Sequence, residues 1–379
     1  MVEGDSSQGP APRPAAATVG VPQRHAGNTP YRLLDAWRGV AALWVVLLHA
    51  RGTGLFAPID QFSLVGLLGV PMFFVISGYC IANAAVRSLE APRPVAQFAW
   101  ARVRRIYPPY FFASLVTILL ATLLALLIKH HILNFFHHGP RYYLGALTLT
   151  QPLLHVDYIL PVFWSLSYEA AFYVIVAALL AFAVRTAQTP RLLDALSAVT
   201  VIALLWLNLA GQSCPYPCDR WPQFGFGVLV YQILAQPERK SPRVVFLICS
   251  ALMIIWTLRN GYGAFLNLAS IEAQSLFCLP FAAVLLLLFR WDRPLAGLLP
   301  VRLFSWIGMF SYSLYLIHYV ALRVVIQSAQ RTAIIESHSL LLYLVRIVAC
   351  VAAGRLFFQL CERPFLNNRQ RPARIALRI

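Results

Sequence analysis

In the segment LDAWRGVAALWVVLLHA, Arg38 and His49 stand eleven positions apart with almost only apolar residues between them. On an α-helix that separation is close to three turns, so the two side chains share a face about 16 Å apart along the axis. A guanidinium suits carboxylates and phosphates, and an imidazole suits proton transfer near neutral pH. Ionisable groups inside an apolar helix are costly and point to function by default. The structural alternative is an arginine anchoring the helix at head-group level and a histidine satisfied by a neighbouring helix. Spacing alone does not separate the two.

More groups of this kind follow. Glu169 lies in FWSLSYEAAFY and His318 in SYSLYLIHY, while WARVRRIYPPY carries Arg102, Arg104 and Arg105. Arg102 and Arg105 are three apart and share a helix face. As isolated charges they read best as ordinary cytoplasmic anchors. With Arg38 they form a guanidinium cluster, the preferred chemistry for phosphate. Asp35 lies one turn before Arg38 and is placed to orient it, but at about 21 Å from His49 it cannot orient the imidazole.

The elements that must position these groups are membrane helices. Of the 379 residues, 59% are hydrophobic and 12% charged, about half the charged fraction of a soluble domain. The expected fold is an all-α, polytopic membrane helix bundle. Apolar runs of spanning length lie near 36–56, 63–85, 107–128, 162–184, 193–211, 221–236, 243–259, 271–289, 304–327 and 339–361, about ten transmembrane helices. The sixth is short and contains glycines (FGFGVLV). The net charge of +17 would suit a nucleic-acid binder in a soluble protein. Here the arginines sit in short loops between apolar runs, the pattern of the positive-inside rule, so no nucleic-acid partner is expected. With the N-terminus inside, 22 of the 31 lysines and arginines fall in inner segments and 6 in outer ones. Both termini are therefore expected in the cytoplasm, in a multi-pass protein of the cytoplasmic (inner) membrane. Residues 1–30, rich in Pro, Ala and Gly, read as a disordered cytoplasmic leader, and 367–379 as a basic cytoplasmic tail.

Orientation converts position into depth. His49 lies about thirteen residues into an outward span, Glu169 about seven into an inward one and His318 about fourteen into an outward one, levels that agree within about two helical turns. They are expected to share a polar cavity, because intramembrane charges seek partners. Two other features define no activity. HHILNFFHH places His130, His131, His137 and His138 at spacings that can share a helical face, but carboxylates nearby are sparse and no metal site is expected. Cys214 and Cys218 flank PYP on the outer side, and the sequence leaves open whether they form a disulfide or stay free.

A phosphate-binding mouth at the cytoplasmic face and an acid/base group about 16 Å deeper suit a donor with a phosphorylated head and a long arm ending in a reactive carbonyl, the shape of acyl-coenzyme A. At this point the chain resembles the acyltransferase-3 family of integral membrane acyltransferases, which includes bacterial exopolysaccharide, O-antigen and Nod-factor O-acetyltransferases. The resemblance covers about residues 31–366 and rests on six segments in order: LDAWRGVAALWVVLLHA, GVPMFFVISGYCI, RVRRIYPPY, WSLSYEAAFY, SYSLYLIHY and the closing CERPF.

The resemblance implies acyl-CoA used from the cytoplasm, with no metal, and an acceptor modified at or beyond the membrane. By matching motifs it makes His49 the essential histidine, Arg38 the first-helix arginine, Arg102 and Arg105 the Arg-x-x-Arg pair and Glu169 the fourth-helix glutamate. His318 and Asp35 are supporting residues. Where the family commonly has Asp-Gly-Leu-Arg, this chain has Ala36 and Trp37 in the middle, with the Asp and Arg kept. The extra extracytoplasmic hydrolase-like domain of some relatives is not expected here.

The expected function is O-acyl, most simply O-acetyl, transfer to a hydroxyl of a cell-surface or lipid-linked carbohydrate, alongside membrane lipid and polysaccharide biosynthesis proteins as partners. His49 would act as base or as the carrier of an acetyl-imidazole, with Glu169 orienting or stabilising its ring. The rival readings are an acyltransferase for a macrolide-like small molecule or a lipid, and a non-enzymatic glycan transporter.

Overall fold

The computed structural model describes residues 31–51, 57–128, 138–210, 214–260, 267–331 and 340–366. The expected leader and tail, and His130, His131 and His137, lie outside the described residues. Among the described residues the chain is helical with no strand. In order the helices are α1 (Leu33–His49), α2 (Ala57–Ser63), α3 (Gly69–Ser88), α4 (Pro94–Ile128), α5 (Pro140–Thr148), α6 (Gln151–Leu154), α7 (Trp164–Arg185), α8 (Leu192–Ala210), α9 (Trp221–Ala235), α10 (Ser241–Arg259), α11 (Ile271–Leu288), α12 (Asp292–Ala296), α13 (Leu299–Gly308), α14 (Ser311–Arg331) and α15 (Leu340–Phe357).

Each of the ten apolar runs overlaps a helix among the described residues, the ninth overlapping two. Among the described residues, seven helices are long and apolar enough to cross a membrane, and a bent pair brings the number to eight. The runs that fall short are α1, with 17 residues, and α9, with 15. At 1.5 Å per residue they measure about 25 and 22 Å, less than the ~30 Å hydrocarbon layer. Both are lined by buried residues, and α9 is buried along almost its whole length. A helix enclosed by others meets protein rather than lipid, so its length is set by packing.

Glycines let these two inner helices approach their neighbours. A Cβ on Gly78 of α3 would run into the carbonyl oxygen of Phe224 in α9, and one on Gly227 would meet that of Val75. The two backbones touch, as small residues allow in membrane bundles. Around this contact Phe224 stacks on Phe74 at 4.3 Å and on Phe172 at 4.5 Å. At the start of α1, Gly39 faces the Phe304 carbonyl of α13 and Gly308 faces that of Asp35.

Three expected boundaries move. The first run continues to 56, but its helix ends at His49. Arg51 just beyond pairs with Asp60 of α2, Nε at 2.7 Å and Nη2 at 2.6 Å, which turns the chain back. Helix α4 begins at Pro94, so Arg102 and Arg105 sit inside it rather than at its opening. The ninth run is broken: α13 and α14 meet at 71°, with Met309 and Phe310 between them.

Candidate active site

The bundle encloses a cavity of about 100 Å³ lined by Arg38 of α1, Ser77 and Cys80 of α3, Arg102 and Arg105 of α4, Glu169 and Tyr173 of α7, and Tyr312 and Tyr315 of α14. The i, i+3 spacing of Arg102 and Arg105 directs both guanidiniums to the cavity. Three residues later in α4, Pro108 and the following Pro109 lack the N–H groups that would pair the carbonyls of Arg104 and Arg105. Tyr312 ties this stretch across the bundle by donating to the neighbouring Ile106 carbonyl at 2.9 Å.

Arg38 is fixed on both sides. Its Nη1 meets Asp35 Oδ1 at 2.9 Å and its Nη2 meets Cys80 Sγ at 3.1 Å. Arg102 and Arg105 form no ion pair among the described residues. The Arg102 guanidinium lies 5.8 Å from the ring of Phe98 and 5.9 Å from that of Tyr173, and its buried Nε has no hydrogen-bond partner. Glu169 accepts from Ser77 at 3.0 Å and from Tyr173 one turn on. Three guanidiniums and the Glu169 carboxylate line the cavity, with Asp35 paired to Arg38 and the buried Glu362 close to Arg38 and Arg105. Cys80, Arg102 and Arg105 also line a wider cavity of about 610 Å³ that includes Arg87, Glu90 and Gln97 at the α3–α4 turn. The arginines thus stand where an open vestibule narrows into the bundle.

Past the far wall of this cavity lie the two histidines. Tyr315 lines the cavity, and its ring is 5.8 Å from that of His318. His318 is fully buried, and its Nε2 is 3.3 Å from His49 Nδ1. The tautomers follow from the other partners. His318 Nδ1 contacts the Tyr315 carbonyl at 2.7 Å and His49 Nδ1 contacts the Val45 carbonyl at 2.9 Å. A carbonyl only accepts, so both Nδ1 atoms carry the proton. His49 Nδ1–H is then shared between Val45 O and the His318 Nε2 lone pair. The lone pair left on His49 is that of Nε2, available to take a proton or attack a carbonyl carbon.

The end of α1 that carries His49 is held from α15. Arg346 Nη1 donates to the Ala50 carbonyl at 3.1 Å. The Tyr343 hydroxyl lies 2.9 Å from Ser63 Oγ and donates to the Leu47 carbonyl at 3.5 Å. These bonds occupy carbonyls that the last turn of a helix leaves open.

The structure brings together Asp35 and Arg38, the three arginines, and His49 with His318. It does not bring Glu169 to His49. The expected role of Glu169 in orienting that ring is taken by the carbonyl of Val45 and by His318, and Glu169 faces the arginines instead. Depth counted along straight, complete spans misplaced it, because the helix of His49 stops at that residue. Tyr173 was findable from its i+4 spacing to Glu169, and Tyr315 from its position one turn before His318. Ser77 had no local signal, since its partner is 92 positions away.

Of the histidine run only His138 is described, and it stacks on Tyr142 at 4.0 Å. No group of three or more His, Cys, Asp or Glu placed to hold a metal occurs among the described residues. Cys214 and Cys218 are free thiols. The loop carrying them is pinned to α7 by Tyr216, which donates to the Ser167 carbonyl at 2.6 Å, and by the Tyr168 hydroxyl bond to Asp219 at 2.8 Å.

The acyltransferase domain model (Acyl_transf_3) matches residues 31–357. Among curated proteins, the chain is 26% identical over 308 residues to the putative membrane-bound transacylase BcsY of Komagataeibacter xylinus, covering 76% of this chain and 72% of that one. It is 22% identical over 374 residues to the peptidoglycan O-acetyltransferase OatA of Listeria monocytogenes, covering 88% of this chain but 56% of that longer protein. A segment of 82 residues is 38% identical to protein 2 in the picA locus of Rhizobium radiobacter, covering 21% of this chain and 40% of that one. No solved structure matches. A helical membrane bundle with an arginine-lined cavity beside paired histidines, matched along most of its length, identifies the chain as a member of the acyltransferase-3 family of membrane acyltransferases.

Proposed function

We infer that the protein moves an acyl group, most simply acetyl, from cytoplasmic acyl-CoA to a hydroxyl of a cell-surface or lipid-linked carbohydrate, at the cytoplasmic membrane with both termini inside. The observation that carries this reading is the cluster of three arginines at one cavity, in which Arg102 keeps a buried, unpartnered Nε–H. Buried donors without partners are rare and expensive. A phosphate of coenzyme A would meet that donor, and the arm of the cofactor would run from Arg38 toward His49, about 16 Å along α1. Transacylation by BcsY and O-acetylation of peptidoglycan by OatA, as those proteins are named, support the same class of reaction.

The chemistry needs one base. As the acceptor oxygen bonds to the thioester carbonyl carbon, His49 Nε2 takes the hydroxyl proton, the C–S bond breaks, and the proton passes to the departing thiolate. The tautomer fixed by Val45 leaves the required lone pair free. In the relay variant the same lone pair takes the acetyl group first and hands it to the acceptor in a second step. Purified protein with acetyl-radiolabelled acetyl-CoA separates the outcomes. Label on wild type but not on His49→Ala supports the relay, and acceptor-dependent turnover with no adduct supports direct attack. Movement of glycan with no consumption of acetyl-CoA would make the protein a transporter and sink this reading.

A further inference from the structure

A second cavity, of about 230 Å³, opens on the other side of the histidine pair from the arginines. It lies between α4, the segment before α7 and the later half of α14. Its wall is apolar at Leu120, Leu160 and Pro161, and its polar groups are Tyr158, Tyr319, Arg323, Gln327 and Thr117, the last donating to the Ala113 carbonyl at 2.7 Å. Along α14 the order is Tyr315 in the arginine cavity, His318 beside His49, then Tyr319, Arg323 and Gln327 at i, i+4 and i+8. The cavity exceeds the ~150 Å³ that admits a benzene-sized ligand. The Tyr319 ring is 6.0 Å from that of His49, so a group seated here reaches the reaction centre without passing the arginines.

Two of its polar groups, Arg323 and Gln327, have capacity left for a ligand. Arg323 is exposed and stacks over Tyr319 at 5.6 Å, and it forms no ion pair among the described residues. Gln327 Oε1 is buried with no donor. We propose that this cavity holds the acceptor as an acidic pyranoside. Its anionic substituent pairs with Arg323, its ring lies against Tyr158 and Tyr319, one hydroxyl donates to Gln327 Oε1, and an apolar aglycone follows the wall at Leu120 and Pro161. Flat aromatic faces, an unpaired guanidinium and an orphan acceptor are what a charged sugar ring satisfies. The assignment rests on the acyl-transfer reading for the identity of the reaction, but not for the binding.

The test is calorimetric titration of full-length protein in nanodiscs with octyl β-D-glucuronide and with octyl β-D-glucoside, which differ in the carboxylate. Wild type is expected to bind the glucuronide about tenfold more tightly, the worth of one partly exposed charge-assisted pair. Arg323→Gln should erase the preference and Arg323→Lys retain part of it, while Tyr158→Ala weakens both ligands. Melting temperatures within a few degrees of wild type serve as the folding control. Equal affinities in wild type, or a preference that survives Arg323→Gln, overturn the proposal. Binding untouched by every variant means that the octyl chain sits on the lipid-facing surface, and overturns it too. Binding through Arg323 in a protein that transfers no acetyl group from acetyl-CoA would leave this site standing and remove the reaction proposed above.

Discussion

Replacing Arg102 by Gln sets two effects against each other, and the structure predicts the sign of each. The guanidinium has no ion pair among the described residues, and its Nε is buried without a partner. In the empty protein it contributes two long cation–π contacts, at 5.8 and 5.9 Å, each worth about 0.5–1 kcal/mol. Against this stands the cost of an orphan buried donor, about 1–3 kcal/mol. The terms nearly cancel, so Arg102→Gln should leave the ligand-free melting temperature unchanged or slightly raised. With the donor bound, the same guanidinium makes charge-assisted hydrogen bonds worth about 1.5–3 kcal/mol. Their loss raises the KM for acyl-CoA about 10- to 150-fold, with kcat held because His49 is untouched. The assay is steady-state acetyl transfer at saturating acceptor, paired with thermal unfolding in detergent with and without acetyl-CoA. Wild type should gain stability from acetyl-CoA and the variant should not. A variant that melts several degrees lower yet keeps the wild-type KM would refute the reasoning and make Arg102 a packing and topology anchor.

Further outcomes follow from the same geometry. His318→Ala removes one of two acceptors on His49 Nδ1–H, and by comparison with losses of supporting hydrogen bonds elsewhere should lower kcat about 10- to 100-fold with little change in KM for acyl-CoA; steady-state kinetics check this, and a pure KM effect would place His318 in donor binding instead. Gly39→Ala drives a Cβ into the Phe304 carbonyl and should cost about 1–3 kcal/mol of overpacking, read as a lower melting temperature and loss of the monodisperse peak on size exclusion. Burial, with Cys218 and Asp219 adding to it, pushes the Cys214 thiol up to about 12. It therefore stays protonated and should react with maleimide at pH 8 far more slowly than a free cysteine, while denaturation without reductant should release it at full rate; a thiol missing after denaturation would mean that it had been oxidised.

Legibility followed how local each relationship is. Asp35 and Arg38, and Arg102 and Arg105, are pairs within one turn, so helical periodicity placed them before any tertiary information. Their convergence was expected from a shared level of basic loops, and the structure lines one cavity with all three. The approach of His49 to His318 was readable for the same reason, from two outward spans entered at similar depth. Glu169 was misread because depth was counted on a complete first span, whereas α1 ends at His49. Its true neighbour Ser77 lies on another helix whose rotation the sequence does not encode. The carbonyls of Val45 and Tyr315, which set both tautomers, are backbone atoms that every residue possesses and no motif marks. The glycines of FGFGVLV were visible as an oddity of the shortest run, but what they face, Thr200 of α8 for Gly225 and the Val75–Tyr79 turn of α3 for Gly227, appears only once the helices touch.

Tyr315 has a consequence beyond the reaction. Its hydroxyl is held at the Val162 carbonyl at 2.6 Å and beside Ser165 Oγ at 2.7 Å, and its ring meets Phe73 edge-on at 6.1 Å. The arginine cavity ends at this residue, and the cavity beyond begins at Tyr319, about 6 Å further along the same helix. Any protein with polar cavities entering from both ends of a membrane bundle must also keep ions and protons from crossing, and here that duty falls on one turn of α14 and the residues packed against it. Aromatic constrictions of this kind exclude water and hold back charge. In the proposed reaction, the layer between donor and acceptor is therefore also the insulation of the membrane, and a side chain trimmed at Tyr315 would exchange an enzyme for a leak.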